Sequence, residues 1–188
     1  MAETINTNQF KNGMCIELDG VVWKIVEFQH VKPGKGGAFV RTKLRNVRTG
    51  SVLERTFNAG VRVEQAIVDR QDMQFLYRDG DDYVFMNTST YDQLNVPKVA
   101  LGEAADYLVE QAVAQIAQYQ DQIIGVEIPA SVELAITQTE PGVQGDRVSG
   151  ARKPAVLETG KTVQVPLFVE QGDRIRVDTR TGDYMTRV

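Results

Sequence analysis

MCIELDGVVWKIVEFQHVKPGKGGAFVRTKLRNVRTGSVLERTF, residues 14–57, holds the pattern on which the fold turns. Its apolar residues fall into short runs, 14–18 and 21–28, divided by Asp19-Gly20. Asp-Gly between two such runs is the strongest short hairpin signal, because both residues tolerate the left-handed backbone of a type I′ turn. A second pair follows, 39–47 joined through Arg48-Thr49-Gly50 to 52–57. Four short strands in so little chain predict a small SH3-like barrel. Side chains alternate along a strand, which puts Val40, Thr42 and Leu44 on one face and Arg41, Lys43 and Arg45 on the other. The first face is core and the second is a basic stripe. From Phe28 to Leu53 there is no acidic residue, whereas Lys32, Lys35, Arg41, Lys43, Arg45 and Arg48 are all present. Such a segment faces a polyanion, or else is a solvated face with incidental charge.

Outward from there the strand pattern continues. Residues 68–77 turn at Asp79-Gly80 and return over 82–86. After Pro97, Ala104, Ala105, Leu108 and Val109 recur at three-to-four spacing, which predicts a short helix over 101–110. AVAQIAQYQDQIIGVEIP, residues 112–129, divides between helix and strand: alanine and glutamine favour the first, the Ile-Ile-Gly-Val tract the second. Strands from about residue 112 are the reading adopted. Runs at 132–139, 162–169, 174–179 and 184–188, with a Gly/Ser-rich loop EPGVQGDRVSG at 140–150 and a turn at Thr181-Gly182-Asp183, predict an OB-like barrel. The expected domains are 1–64, 65–128 and 129–188, with joints too short for flexible linkers.

The 188 residues, 42% hydrophobic and 24% charged, can bury substantial cores. No apolar run is long enough to span a bilayer, and MAETINTNQF has neither the basic start nor the apolar stretch of a secretory signal, so a cytoplasmic protein without membrane contact is expected. Cys15 is the single cysteine and His30 the single histidine, which predicts no disulfide, no metal and no cofactor. The net charge of −4 is unevenly spread: residues 1–64 carry 10 basic and 6 acidic side chains, 65–128 carry 3 and 11, and 129–188 carry 8 and 8. Only the first third is basic, so the average conceals where an anionic partner would bind.

Three groups of residues could carry chemistry. In VKPGKGGAF, residues 31–39, Pro33 presets a turn, Gly34 is expected to supply its positive φ, and Gly36 and Gly37 leave Lys35 alone at the tip. A phosphate-cradling loop is excluded because Gly36 stands where a serine or threonine should follow the lysine and a strand comes next. The dinucleotide fingerprint is excluded because Phe39 stands where its third glycine should be. Composition alone favours a plain hairpin loop with a solvated lysine. The second group is the stripe of Arg41, Lys43 and Arg45 with Lys32 and Arg48 nearby, suited to phosphates. The third is the loop Gly145-Asp146-Arg147-Val148-Ser149-Gly150, whose alternative reading is a glycine-bounded connection. Asp79, Asp81 and Asp82 read as a solvated turn, Trp23 as core, and Cys15 as a small core residue without a positive neighbour. No nucleophile-base pair or metal set marks a catalytic site, so a hydrolase or transferase is not expected.

VKPGKGGAF followed by VRTKLRNVRTG, RTFNAGVRVEQA and FLYRDGDDYVFMN, then TEPGVQGDRVSG and KPAVLETGKTVQVPLFVEQG, resembles bacterial elongation factor P over essentially the whole chain. The resemblance implies an all-β protein of three small barrels, SH3-like (KOW-like) then two OB-folds, in an L-shaped, tRNA-like arrangement. It implies a monomeric translation factor that binds the 70S ribosome between the P and E sites and stimulates peptide-bond formation at consecutive prolines without making a bond itself. Its partners would be ribosomal RNA, the P-site peptidyl-tRNA, mRNA in the E site and a lysine-modifying enzyme. Lys35 matches the family's tip residue, which is lysylated in some members, altered differently in others and left bare in the rest. Lys32, Pro33, Gly34, Gly36 and Gly37 match its loop, and Gly145, Asp146, Arg147, Ser149 and Gly150 its E-site codon loop. The elongation-factor-P-like paralogue is the alternative, against which KPGKGGAF and KPAVLETG fit the main family better. The hypusine-bearing initiation factor of other kingdoms has two domains rather than three.

Overall fold

The computed structural model describes residues 3–142 and 150–188. Six strands form the first sheet: β1 (Glu3–Asn6), β2 (Cys15–Leu18), β3 (Val21–Val31), β4 (Phe39–Asn46), β5 (Val52–Asn58) and β6 (Arg62–Gln65), in the order β1-β6-β2-β3-β4-β5. Asp19 and Gly20 sit at φ 53° and 76° in the β2–β3 turn, the backbone that Asp-Gly favours. β3 runs on to Val31, past the expected end at residue 28, because its antiparallel ladder with β4 continues from Phe28↔Thr42 to Val31↔Phe39. The register slips between Ile25 and Glu27, which makes Val26 the extra residue of a bulge. The slip holds Ile25 and Phe28 on the core side, opposite Leu44 and Thr42, and turns Glu27 outward opposite Lys43. Ile16, Ile25, Val40 and Leu44 are fully buried, and Phe10 meets Phe57 edge to face at 5.8 Å. Thr42 is also buried, and its Oγ1 donates to the Arg55 carbonyl at 2.6 Å, so its hydroxyl is satisfied. β1 and β6 carry no readable alternation; they exist as each other's partners, paired from Glu3↔Gln65 to Asn6↔Arg62.

The second sheet contains β7 (Asp69–Asp79), β8 (Asp82–Asn87), β9 (Gln93–Pro97), β10 (Val113–Tyr119) and β11 (Gln122–Glu127), ordered β11-β10-β7-β8-β9. Asp79 pairs with Asp82, so the two loop residues are Gly80-Asp81 and not Asp79-Gly80, with Gly80 at φ 61°. The helix expected over 101–110 is corrected. Among the described residues only α1 (Lys98–Leu101) is α-helical, and Gly102 breaks it at φ 56°, ψ −132°, before a 3-10 turn over Gly102–Asp106. Ala105 is buried within the 3-10 turn, and Tyr107 and Leu108 are buried just past its end, so no single α-helical face carries all three. The divided stretch at 112–129 contains β10 and β11, joined by Gln120 and Asp121 at φ 49° and 61°.

The third sheet orders β12 (Ser131–Thr139), β13 (Arg152–Leu157), β14 (Thr162–Pro166), β15 (Arg174–Asp178) and β16 (Tyr184–Arg187) as β14-β13-β12-β15-β16. β13 was not expected, and β14 stops at Pro166 rather than at 169. Leu134, Val165, Ile175 and Val177 are fully buried, and Tyr107 joins their cluster. Thr159 donates to the Asp106 carbonyl at 2.5 Å and Lys161 Nζ approaches Asp106 Oδ2 at 3.3 Å, which fastens the segment leading to Tyr107.

The chain divides into two compact units, Met1–Arg70 with Ala117–Gly125, and Gln71–Ile116 with Val126–Val188. The tip of the β10–β11 hairpin therefore belongs with the first sheet. There, Tyr119 and Ile124 pack with Val47 and Val68 against the buried Cys15, Val22 and Ala66, forming an apolar cluster separate from the main core. Tyr119 donates from its hydroxyl to Glu17 Oε2.

Candidate nucleic-acid interface

β3 and β4 project their connecting loop beyond the last ladder pair, Val31↔Phe39. Lys32, Pro33, Gly34, Lys35, Gly36 and Gly37 are all exposed. The left-handed residue of this loop is Gly36, at φ 122°, with Pro33 Cγ 3.7 Å from where its Cβ would lie; Gly34, expected to supply that φ, does not. Among the described residues Lys35 makes no hydrogen bond or ion pair, so its ammonium is available to a partner. At the base of the loop Phe28 meets His30 edge to face at 5.6 Å, and Ala59 N–H donates to the Ala38 carbonyl at 2.9 Å. These contacts steady the stem and leave the tip free.

Along β4 the burial alternates as the sequence predicts: Val40, Thr42 and Leu44 are buried, and Arg41, Lys43 and Arg45 are exposed. Lys24 stands opposite Arg45 and adds a fourth cation to this face. The face is not purely basic, since Glu27 and Glu54 both stand opposite Lys43. Neither lies within the acid-free run, and only the strand register reveals them. Arg48 stands apart, in a turn that the Asn46 side chain caps by accepting from Arg48 N–H at 2.9 Å and Thr49 N–H at 3.0 Å. Its Nη2 donates to Gln122 Oε1 at 2.9 Å, so Arg48 ties the hairpin tip to the first sheet.

The third candidate group lies mostly outside the described residues, with Gly145, Asp146, Arg147 and Ser149 among those not described. Gly150 is exposed at φ 92°. Trp23 is half-buried at the edge of the main core. Asp79 and Asp81 are exposed, and among the described residues no three or more metal-ligating side chains gather. Cys15 does have positive neighbours, in correction of the sequence reading: Arg70 and Lys24 act on its thiol. Burial outweighs them and pushes the thiol up from its ordinary value, so it is not an activated nucleophile. Among the described residues no helix is long and apolar enough to cross a membrane.

Comparison with known proteins covers almost every residue. Residues 6–63 match the family model for the elongation factor P KOW-like domain, 68–126 that for the elongation factor P OB domain, and 132–187 that for the elongation factor P C-terminal region. Elongation factor P of Acidothermus cellulolyticus is 59% identical over 181 residues, 96% of this chain and 97% of that one. Elongation factor P of Streptomyces coelicolor is 58% identical over 184 residues, 97% of this chain and 98% of that one. Among solved structures, the eukaryotic translation initiation factor 5A from Methanococcus jannaschii is similar at a TM-score of 0.56 and 27% identity, covering 66% of this chain and 94% of its own. Nearly all of that protein is thus matched by two thirds of this one. All-β architecture, three consecutive domain matches and identity close to 60% over full length agree, and the chain belongs to the elongation factor P family of translation elongation factors.

Proposed function

We propose that this chain binds the 70S ribosome between the P and E sites and presents Lys35 to the P-site peptidyl-tRNA, so that peptide bonds form at consecutive prolines. The observation that carries the reading is Lys35 itself, exposed between glycines at the end of a long two-stranded stem and bonded to none of the described residues. A group so placed has no packing role, and its chemistry matters only through a partner. Proline is a constrained donor and nucleophile whose ring fixes φ, so a cation that orders the peptidyl-tRNA end helps by restoring attack geometry. The help is positional and no bond is made by the factor. A lysine-modifying enzyme would extend the reach of the same cation. The exposed face of β4, with Arg41 and Arg45 at its ends, faces ribosomal RNA, where phosphate contacts give affinity without sequence choice. By the family resemblance Asp146 and Arg147 would meet mRNA in the E site, the factor working in the cytoplasm as a monomer.

The test is Lys35→Ala. Ribosome affinity should be largely retained and the melting free energy unchanged to within about 0.5 kcal/mol, as for other exposed positions. Synthesis through a run of prolines in a reconstituted translation assay should lose its rescue. Rescue equal to the parent's would remove the lysine from the mechanism.

A further inference from the structure

The first acidic residues met on either side of the acid-free run are Glu27 and Glu54. Glu27 pairs with Lys43 across β3 and β4, and Glu54 pairs with Lys43 across β4 and β5. A Glu-Lys-Glu row therefore crosses the exposed face, with Gln29-Arg41-Thr56 on one side and Lys24-Arg45-Val52 on the other. All three side chains of the central row are exposed, and a dimple of about 90 Å³ lies against them, reaching Gln29 and Arg41.

We infer that this face grips an RNA backbone at two places and not at three: Arg41 at one end, Arg45 with Lys24 at the other, and Lys43 not a phosphate contact at all. The inference rests on the RNA-facing role proposed above and sharpens it. Directly opposed side chains on a sheet have Cβ atoms about 4.5–5.5 Å apart, well inside the screening length of about 8 Å at physiological salt. A phosphate brought to Lys43 thus meets two carboxylates at nearly the same range as the one ammonium, and the row carries a net charge of minus one. Arg41 and Arg45 lie four residues apart, about 13 Å along a strand, which exceeds the screening length, so each acts on its own phosphate. Their direct partners Gln29, Thr56, Lys24 and Val52 include no acid. Glu27 and Glu54 are therefore specificity residues: they deny the centre of the face to a continuous polyanion and set where along a backbone the two grips can fall.

The salt dependence of binding to 70S ribosomes tests this, with melting curves confirming that each variant is folded. Arg41→Gln and Arg45→Gln should each lower the logarithmic salt slope by about 0.7–0.9, the value of one phosphate contact, and Lys43→Gln should leave it unchanged. The double variant Glu27→Gln, Glu54→Gln should raise the slope by one such step and elute from heparin at higher salt. Adding Lys43→Gln to that background should take the step away again. A loss on Lys43→Gln in the parent equal to that on Arg41→Gln overturns the two-point grip, as does a double variant whose slope and heparin elution are unchanged. Slopes untouched by Arg41→Gln and Arg45→Gln overturn the RNA-facing role itself, and the two-point grip with it.

Discussion

Tyr119 shows what one side chain contributes to fastening the tip of the β10–β11 hairpin to the first sheet. Its hydroxyl donates to the Glu17 carboxylate, and the hydrogen bond holds the phenol's proton on, pushing the pKa up from 10.0 to about 12. A group whose folded-state pKa is raised adds stability below its unfolded pKa and loses it as pH climbs through the folded value. Removing the hydroxyl by Tyr119→Phe should cost about 1 kcal/mol near neutrality, less than is usual for a bond to a charged acceptor because the site is half-exposed and solvent screens it. Urea unfolding should show that gap constant up to about pH 10 and shrinking from there toward pH 12, the window in which the parent alone gives up the bond. A gap that does not depend on pH would locate the stabilisation in the ring's packing instead. Lys35 is the opposite kind of residue, chemically prominent and without a partner among the described residues, which is why its variant separates function from stability.

At the scale of elements, turns and bulges decide which face a side chain takes. One extra residue at Val26 keeps Phe28 packed against the core and turns Glu27 toward Lys43. The β10–β11 turn carries a different cost. Gln120 and Asp121 both occupy the left-handed region without being glycine, asparagine or histidine pairs suited to a type I′ turn, although aspartate tolerates it better than glutamine. Such strain persists where neighbouring contacts over-determine the loop, and here Tyr119 is bonded to Glu17, Gln122 to Arg48, and Ile124 sits in the apolar cluster. Asp121→Gly should therefore stabilise the protein by about 0.5–1 kcal/mol, since glycine at the second turn position removes the strain and no described hydrogen bond of Asp121 is lost. A lowered melting temperature would show that the aspartate side chain holds the turn. The helix expected over 101–110, cut to a 3-10 turn over Gly102–Asp106, teaches the same lesson in reverse. Its three-to-four spacing is real, but Gly102 at positive φ stops the helix, and Tyr107 is drawn into the third sheet's core.

At the scale of the whole molecule, the compact units do not follow the order of the chain. Residues 117–125 count with the first sheet, far from it in sequence, and cover Cys15, Val22 and Ala66. Cys15, the single cysteine, reports on that cover. Its buried thiol should react slowly with an aromatic disulfide reagent, and Ile124→Asp, which places a charge in the apolar cluster, should speed labelling by about tenfold or more through local opening. Equal rates in parent and variant would mean that the thiol is reached by another route.

The strands of residues 14–57, the hairpin at Asp19-Gly20 and the alternation along β4 were legible in the sequence because each depends on neighbours two to four positions away. So were the exposed tip and the family motifs, which are contiguous. The short strands β1, β6 and β13 were not, being made by their partners rather than by their own pattern. Nor could the charge run disclose its own limit. Glu27 and Glu54 lie just outside it on opposite sides, and only the pairing of β3, β4 and β5 sets them beside Lys43. Local steric preference and periodicity are written along the chain, whereas the company a charge keeps is set by strand register, and register is decided by a core that the whole sheet must bury together.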